Sequence, residues 1–172
     1  KTTFGKFTYP FCYTPHPLVR KAADDLIARI DSDPELKNLF SEGKMLGVML
    51  VKDADGNLRT LNAFSGNVGG RSMIEGFVPP VLDLCDPESH FRKEEFEISS
   101  INAKIKVLEA AGEPVETLKA ERKQRSVALQ GWIFDNAKVA AADGDIKSIR
   151  EVFAIRGIVP PGGTGDCAAP KL

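Results

Sequence analysis

Residues that build disulfide frameworks and metal sites are scarce in this sequence of 172 residues. The three cysteines, Cys12, Cys85 and Cys167, are odd in number and widely spaced, and no CxxC pair occurs. Neither of the two histidines, His16 and His90, has a partner at a metal-ligand spacing. The sequence therefore excludes a small domain held together by disulfides, and its cysteine content fits a reducing cytoplasm.

Long apolar stretches and a strong net charge are also missing. No segment approaches the roughly 18 uncharged apolar residues of a membrane span, and the first residues lack the apolar core of a signal peptide. The formal net charge is −1, whereas domains whose whole surface grips nucleic acid are usually basic. We therefore expect a cytoplasmic protein with no membrane partner, in which any basic surface is local.

The residues that are present have ordinary globular composition, with 42% hydrophobic and 27% charged residues. We expect an α+β fold in which residues 1–86 form a small β-hairpin/sheet core packed by helices. An extended arm is predicted over Phe7–Tyr13, and helices over Leu18–Ile30 and Asp33–Phe40. The apolar run 45–51, the DADGN turn at 53–57 and the strand 58–64 predict a β-hairpin at about 44–65. The acidic turn lacks the Gly and Glu positions of a calcium loop, so we interpret it as a hairpin turn.

Residues 87–143 contain few prolines and many charges, and they predict two long helices. Gly112-Glu113-Pro114 breaks them, with Gly past one end and Pro at the next start. So short a break predicts an antiparallel helical hairpin with coiled-coil-like packing. Arg122 and Arg125 are expected to lie on the seam between the two helices, among its apolar residues. This inserted hairpin is also a candidate surface for a homo-oligomer.

Residues 144–172 are expected to form a short helix, Ile146–Ala154, and a Gly/Pro-rich tail that returns to the core. A helical turn is predicted before them at Val81–Leu84. The tail ends in a helix-like start capped by Asp166, and we expect the chain to be a truncated piece of a larger protein.

A basic cluster lies in the second long helix, where Lys119, Arg122, Lys123 and Arg125 fall within seven residues. Cations at this density can contact phosphates electrostatically, so the cluster is the predicted RNA-binding site. Glutamates at 116 and 121 lie among them. A solvated face of a coiled coil has the same appearance, and that interpretation remains open.

Cys167 is the candidate metal ligand, because a thiol at a helix N-terminus favours the thiolate form. A buried structural cysteine is the alternative. The preceding glycines, 162–165, lack the GK[ST] of a phosphate-binding loop, and Asp166 would repel a phosphate.

Five blocks of the sequence together resemble the N-terminal region of bacterial RluA-type RNA pseudouridine synthases. They read FCYTPHPL at 11–18, GKMLGV at 43–48, AFSG at 63–66, GFVPP at 76–80 and PPGGTGDCAAPKL at 160–172. The resemblance implies that the parent protein isomerises uridine to pseudouridine in ribosomal or transfer RNA, without a metal or organic cofactor. The family's catalytic aspartate lies in an H-R-L-D type motif, and no Arg-Leu-Asp occurs in this chain. The resemblance therefore implies no catalytic residue here, a catalytic domain downstream, and an accessory RNA-binding or scaffolding role for this region.

The order of a two-stranded hairpin and then a helix that opens with a cysteine also resembles zinc-dependent nucleoside deaminases. Those enzymes need a glutamate after the first ligand and a later cysteine pair. Cys167-Ala168-Ala169 lacks the glutamate. A degenerate deaminase-like zinc domain and a self-association module therefore remain the alternatives.

Overall fold

A computed structural model describes residues 14–140 and 144–172, and the predicted arm at Phe7–Tyr13 lies outside these ranges. The described chain mixes helices with two small antiparallel hairpins, which confirms the predicted α+β class. It divides into two compact units. Unit 1 contains residues 14–69, Met73–Pro79 and Cys167–Leu172, and unit 2 contains Gly70–Ser72 and Pro80–Asp166. None of the helices in the described ranges is long and apolar enough to cross a membrane.

Unit 1 begins with two helices, α1 (Pro17–Ser32) and α2 (Pro34–Leu39). The Nδ1 atom of His16 accepts a hydrogen bond from the Leu18 amide and caps α1. Asp33 caps α2 as expected, because its carboxylate accepts from the amides of residues 35 and 36. Helix α1 extends beyond the predicted range at both ends.

The predicted β-hairpin is confirmed in unit 1. Strand β1 (Leu46–Lys52) pairs antiparallel with β2 (Leu58–Phe64), from Leu46 opposite Phe64 to Lys52 opposite Leu58. Asp53 organises the turn, since its carboxylate accepts hydrogen bonds from the amides of Asp55 and Asn57 and from the Arg59 guanidinium. The Asn57 amide is the main reason that the pKa of Asp53 is lowered.

Helices α1 and α2 pack on the face of the hairpin that carries Val48. Leu26, Ile30 and Leu36 are buried there, with Val48 and other partly buried side chains against them. Phe40, Phe64 and Phe77 form a cluster of rings whose centroids lie 5.3–5.5 Å apart. Phe64 is 1% exposed, which makes it the most buried large side chain of this cluster.

The C-terminal segment Cys167–Leu172 covers the opposite face of the hairpin. Its short helix α6 (Ala168–Lys171) lies directly on the β1 backbone at Gly47. A Cβ atom at Gly47 would be 3.0 Å from Leu172 Cδ1 and 3.2 Å from Ala168 Cβ. The missing side chain at Gly47 therefore allows the segment to approach this closely.

Unit 2 is built on the helical hairpin of α3 (His90–Ala110) and α4 (Glu116–Asn136). Gly112, with φ +73°, follows the end of α3, and the amides of residues 112 and 113 donate to the carbonyls of Glu109 and Leu108. These two bonds form a Schellman motif, as the position of Gly112 predicts. Ile101, Ile105 and Val115 are buried near the turn, with Leu108 and Leu118 packed against them.

The predictions for the chain after α4 were partly wrong. Helix α4 ends at Asn136, and residues 138–140 form strand β3 (Lys138–Ala140), paired with β4 (Ile146–Ser148). Helix α5 (Ile149–Ala154) begins three residues later than predicted, because Ser148 caps it in a capping box with Glu151.

The predicted helical turn at Val81–Leu84 is absent. The Asp83 carboxylate instead accepts hydrogen bonds from the Ser72 hydroxyl at 2.6 Å and from the Cys85 amide at 2.8 Å. The Ser72 hydroxyl is the main cause that lowers the pKa of Asp83. Such a bond from an Asp side chain to the amide two residues on competes with helix formation.

Candidate functional site

The basic cluster lies along α4, and three of its members reach across to α3. The Lys119 ammonium is 2.9 Å from the Glu109 carboxylate, which is the main cause that raises the pKa of Lys119. The Arg122 guanidinium donates to the side-chain oxygen of Asn102 at 2.7 Å. Both contacts join the two helices of the hairpin.

Arg125 makes a third bridge between the helices. Its guanidinium lies 3.0 Å from the Glu94 carboxylate on α3 and 3.4 Å from Glu121 on its own helix. The contact with Glu94 is the main cause that raises the pKa of Arg125. The arginines predicted to intrude on the seam thus find polar partners there. Exposed ion pairs of this kind stabilise a protein by at most about 1 kcal/mol.

Lys123 differs from its three neighbours. It is exposed, and within residues 14–140 and 144–172 its ammonium has no hydrogen-bond or ion-pair partner. From α3 through α4, residues 90–136, the sequence has eight basic and eight acidic residues. The hairpin is therefore neutral as a whole, and the RNA-binding role of the basic cluster stays a prediction.

We expect Arg122→Met to destabilise the protein and Lys123→Met to leave its stability unchanged. Loss of the hydrogen bond to Asn102 should lower the free energy of unfolding by about 1 kcal/mol. Lys123 has no such bond to lose. The measurement is urea unfolding followed by far-ultraviolet circular dichroism. The two variants are matched, because each replaces a long cation on α4 by the same apolar side chain. Equal shifts of the two midpoints would contradict the bridging role of Arg122.

A concave groove lies between α3 and α4, toward the end of the helical hairpin that is opposite its turn. Its volume is about 590 Å³. Its lining residues come from both helices: His90, Glu94, Glu121, Gln124, Arg125, Ala128, Leu129 and Trp132. We call it the Trp132 groove.

The two rings of the Trp132 groove contact each other. The centroids of His90 and Trp132 are 4.9 Å apart, with the ring planes inclined by 52°. Leu129 is buried and forms part of the apolar floor, while Trp132 is half-buried. Sequence reasoning missed this groove. His90 begins α3 and Trp132 lies near the end of α4, so the two rings meet only because of the register of one helix against the other.

The candidate metal ligand Cys167 is exposed and occupies the N-cap position of α6, which has four residues. In the part of the chain that the structure describes, no three His, Cys, Asp or Glu side chains are grouped so that they could hold a metal ion. The structure therefore brings no described second and third ligand to Cys167.

Lys171, in the C-terminal segment Cys167–Leu172, has a defined structural role. Its ammonium donates to the carbonyl oxygens of Phe64 at 2.9 Å and Gly66 at 2.8 Å. The same ammonium lies 5.0 Å from the centroid of the Phe64 ring. Lys171 thus ties the C-terminal segment to the end of β2, where the aromatic cluster begins.

Comparisons of the chain with protein-family models, with curated proteins and with solved structures give no match. The resemblance to RluA-type pseudouridine synthases therefore stays a prediction that rests on the five sequence blocks. The deaminase-like layout and the metal role of Cys167 stay predictions as well.

Proposed function

We propose that this region is an accessory module of an RNA pseudouridine synthase, whose parent protein isomerises uridine to pseudouridine in ribosomal or transfer RNA. The proposal is supported by the position of the resembling blocks in the fold. The sequence blocks at 43–48 and 63–66, most of the block at 76–80, and the last six residues of the block at 160–172 all belong to unit 1. The helices α3 and α4 contain none of the five blocks.

The residues of these blocks also contact one another. Gly47 of the second block lies under Leu172 of the last, and Lys171 bonds the carbonyl of Phe64 in the third. The ring of Phe64 packs edge-on against Phe77 of the fourth block, with centroids 5.3 Å apart. Blocks that are far apart in sequence thus form one packed module, which supports treating their resemblance as a single structural signal.

Scaffolding is the role that the contacts favour for the hairpin of α3 and α4. Three of the four cations of the basic cluster bind partners within the hairpin. Lys123 remains exposed on the outside of α4, where it can reach a phosphate. In the proposed module the helical hairpin therefore serves mainly as a polar scaffold of the parent enzyme in the cytoplasm, with RNA as the parent's partner.

Self-association through the hairpin is a second proposal, and exposed apolar side chains favour it. Phe96 and Val107 on α3 are 72% and 69% exposed, and Val127 on α4 is 65% exposed. Burial of such side chains against a second copy would stabilise a homo-oligomer. Light scattering over a hundredfold range of concentration tests this proposal, and a strict monomer throughout would refute it.

The accessory role is tested on the full-length protein with and without residues 1–172. We expect removal to weaken RNA affinity or change which uridine is modified, because the module would no longer position the catalytic domain. Thermal unfolding of the shortened protein controls for misfolding. Unchanged affinity and unchanged substrate choice in a folded shortened protein would overturn the accessory role.

A further inference from the structure

The Trp132 groove is an open concavity with room for a small planar ligand. Its volume of about 590 Å³ falls within the range of about 300–1,000 Å³ that ligand pockets occupy. It combines an apolar floor with a few polar side chains that converge from two helices.

The aromatic end of the groove suits a flat ring. Trp132 presents part of its indole surface, and His90 meets it at an inclined angle. Indole and imidazole rings stack on the faces of nucleobases. Within the described residues, the indole N–H of Trp132 has no hydrogen-bond acceptor.

The polar side chains of the groove offer both donors and acceptors. Glu94 and Glu121 supply carboxylate oxygens, Arg125 supplies N–H groups, and the Gln124 amide supplies both. Arg125 bonds both carboxylates and lies beside each of them. The three charged groups are therefore paired with one another in the structure.

Charge discriminates between the ligand classes. A phosphate inside the groove would approach two carboxylates and one guanidinium that already bonds them, so repulsion opposes it there. The phosphate of a nucleotide is attached to the ribose and can stay in solvent while the base enters the groove. A simple cation would approach Arg125, whose charge offsets one of the two carboxylates. A nucleobase is uncharged, and its edge carries donors and acceptors together, as the groove does.

We propose that the Trp132 groove binds an unpaired nucleobase, stacked on the indole, with its edge hydrogen-bonded by Gln124 and a glutamate. Guanine fits best, because its ring N–H and the adjacent amino group can donate two parallel hydrogen bonds to one carboxylate. Uracil offers one such donor and binds more weakly. The inference rests on the proposed function only for the source of the base, which is then the RNA substrate of the parent.

The single tryptophan of the chain makes the test direct, since its fluorescence reports this groove alone. The 172-residue chain is titrated with guanosine monophosphate, uridine monophosphate, ribose 5-phosphate and arginine, with excitation at the red edge of indole absorption. We expect saturable quenching by guanosine monophosphate, about fivefold weaker affinity for uridine monophosphate, and none from the other two probes.

Two variants and one matched control locate the binding. Gln124→Ala should weaken binding of guanosine monophosphate about fivefold, the value of one hydrogen bond. The matched control is Gln130→Ala on the same helix, outside the groove lining, and it should leave the affinity unchanged. Trp132→Phe keeps an aromatic ring and is measured by calorimetry. It should bind more weakly than the wild type, since the smaller ring offers less stacking surface.

Three results would overturn the nucleobase site. They are no saturable quenching by guanosine monophosphate, tighter binding of arginine or ribose 5-phosphate, or equal affinities of the two glutamine variants. The outcome is independent of the parent's activity. If guanosine monophosphate binds at Trp132 but the full-length protein forms no pseudouridine, the groove stands and the proposed function fails.

Discussion

Phe64→Ala should lower the free energy of unfolding by about 3–5 kcal/mol, the usual range for removing a fully buried ring. Phe64 is 1% exposed, and its ring meets those of Phe40 and Phe77 edge-on. The Lys171 ammonium lies over the same ring. Truncation therefore leaves a cavity at the point where the helices, the hairpin and the C-terminal segment of unit 1 all make contact.

The matched control is Met73→Ala in the same unit, at a side chain that is 62% exposed. Substitutions at such positions change stability by about 0.5 kcal/mol or less. Urea unfolding at equal protein concentration measures both variants. A loss below about 1 kcal/mol for Phe64→Ala would show that the ring cluster is not the core of unit 1.

Gly47→Val should lower the free energy of unfolding by about 1–3 kcal/mol through overpacking. A Cβ atom added at this position would lie 3.0 Å from Leu172 Cδ1 and 3.2 Å from Ala168 Cβ, so the two methyl groups of valine have no space. We expect Cys167–Leu172 to be displaced from β1. Hydrogen exchange at the C-terminal peptide should then be faster than in the wild type.

A double-mutant cycle tests the cause. Gly47→Ala alone should be destabilising, and adding Leu172→Ala should recover part of the loss, because the nearest atom to the new Cβ is removed. Strictly additive effects of the two substitutions would mean that the C-terminal segment does not lie on Gly47.

The β-hairpin of unit 1 could be predicted because its signals are local. An apolar run, an Asp-Gly turn and a returning strand all lie within about twenty residues, and strand pairing follows from the turn. Gly112 likewise marks the end of α3, since the Schellman motif there needs a residue with positive φ.

The second hairpin, β3 with β4, was missed for a different reason. Its strands are three residues each and follow α4 almost directly, so the helical periodicity conceals them. The capping box of Ser148 and Glu151 was a readable sign that a helix starts at Ile149. Strand pairing over so few residues depends on packing against Ile149 and Phe134, which periodicity does not report.

The candidate site was predicted only in part. The spacing of Lys119, Arg122, Lys123 and Arg125 is visible in the sequence. The partners that three of them bind on the other helix, however, are 10 to 31 residues away. Which cations bridge and which one remains exposed depends on the register of α3 against α4. The Trp132 groove depends on the same register, so no local pattern could indicate it.

Pseudouridine formation by the full-length protein tests the central proposal most directly. Unmodified ribosomal and transfer RNA transcripts are incubated with the purified protein, digested to nucleosides and quantified by mass spectrometry after chromatography. We expect pseudouridine to appear while uridine falls by the same amount and cytidine stays constant. A folded protein that forms no pseudouridine in either RNA, or one that converts cytidine to uridine instead, would contradict it.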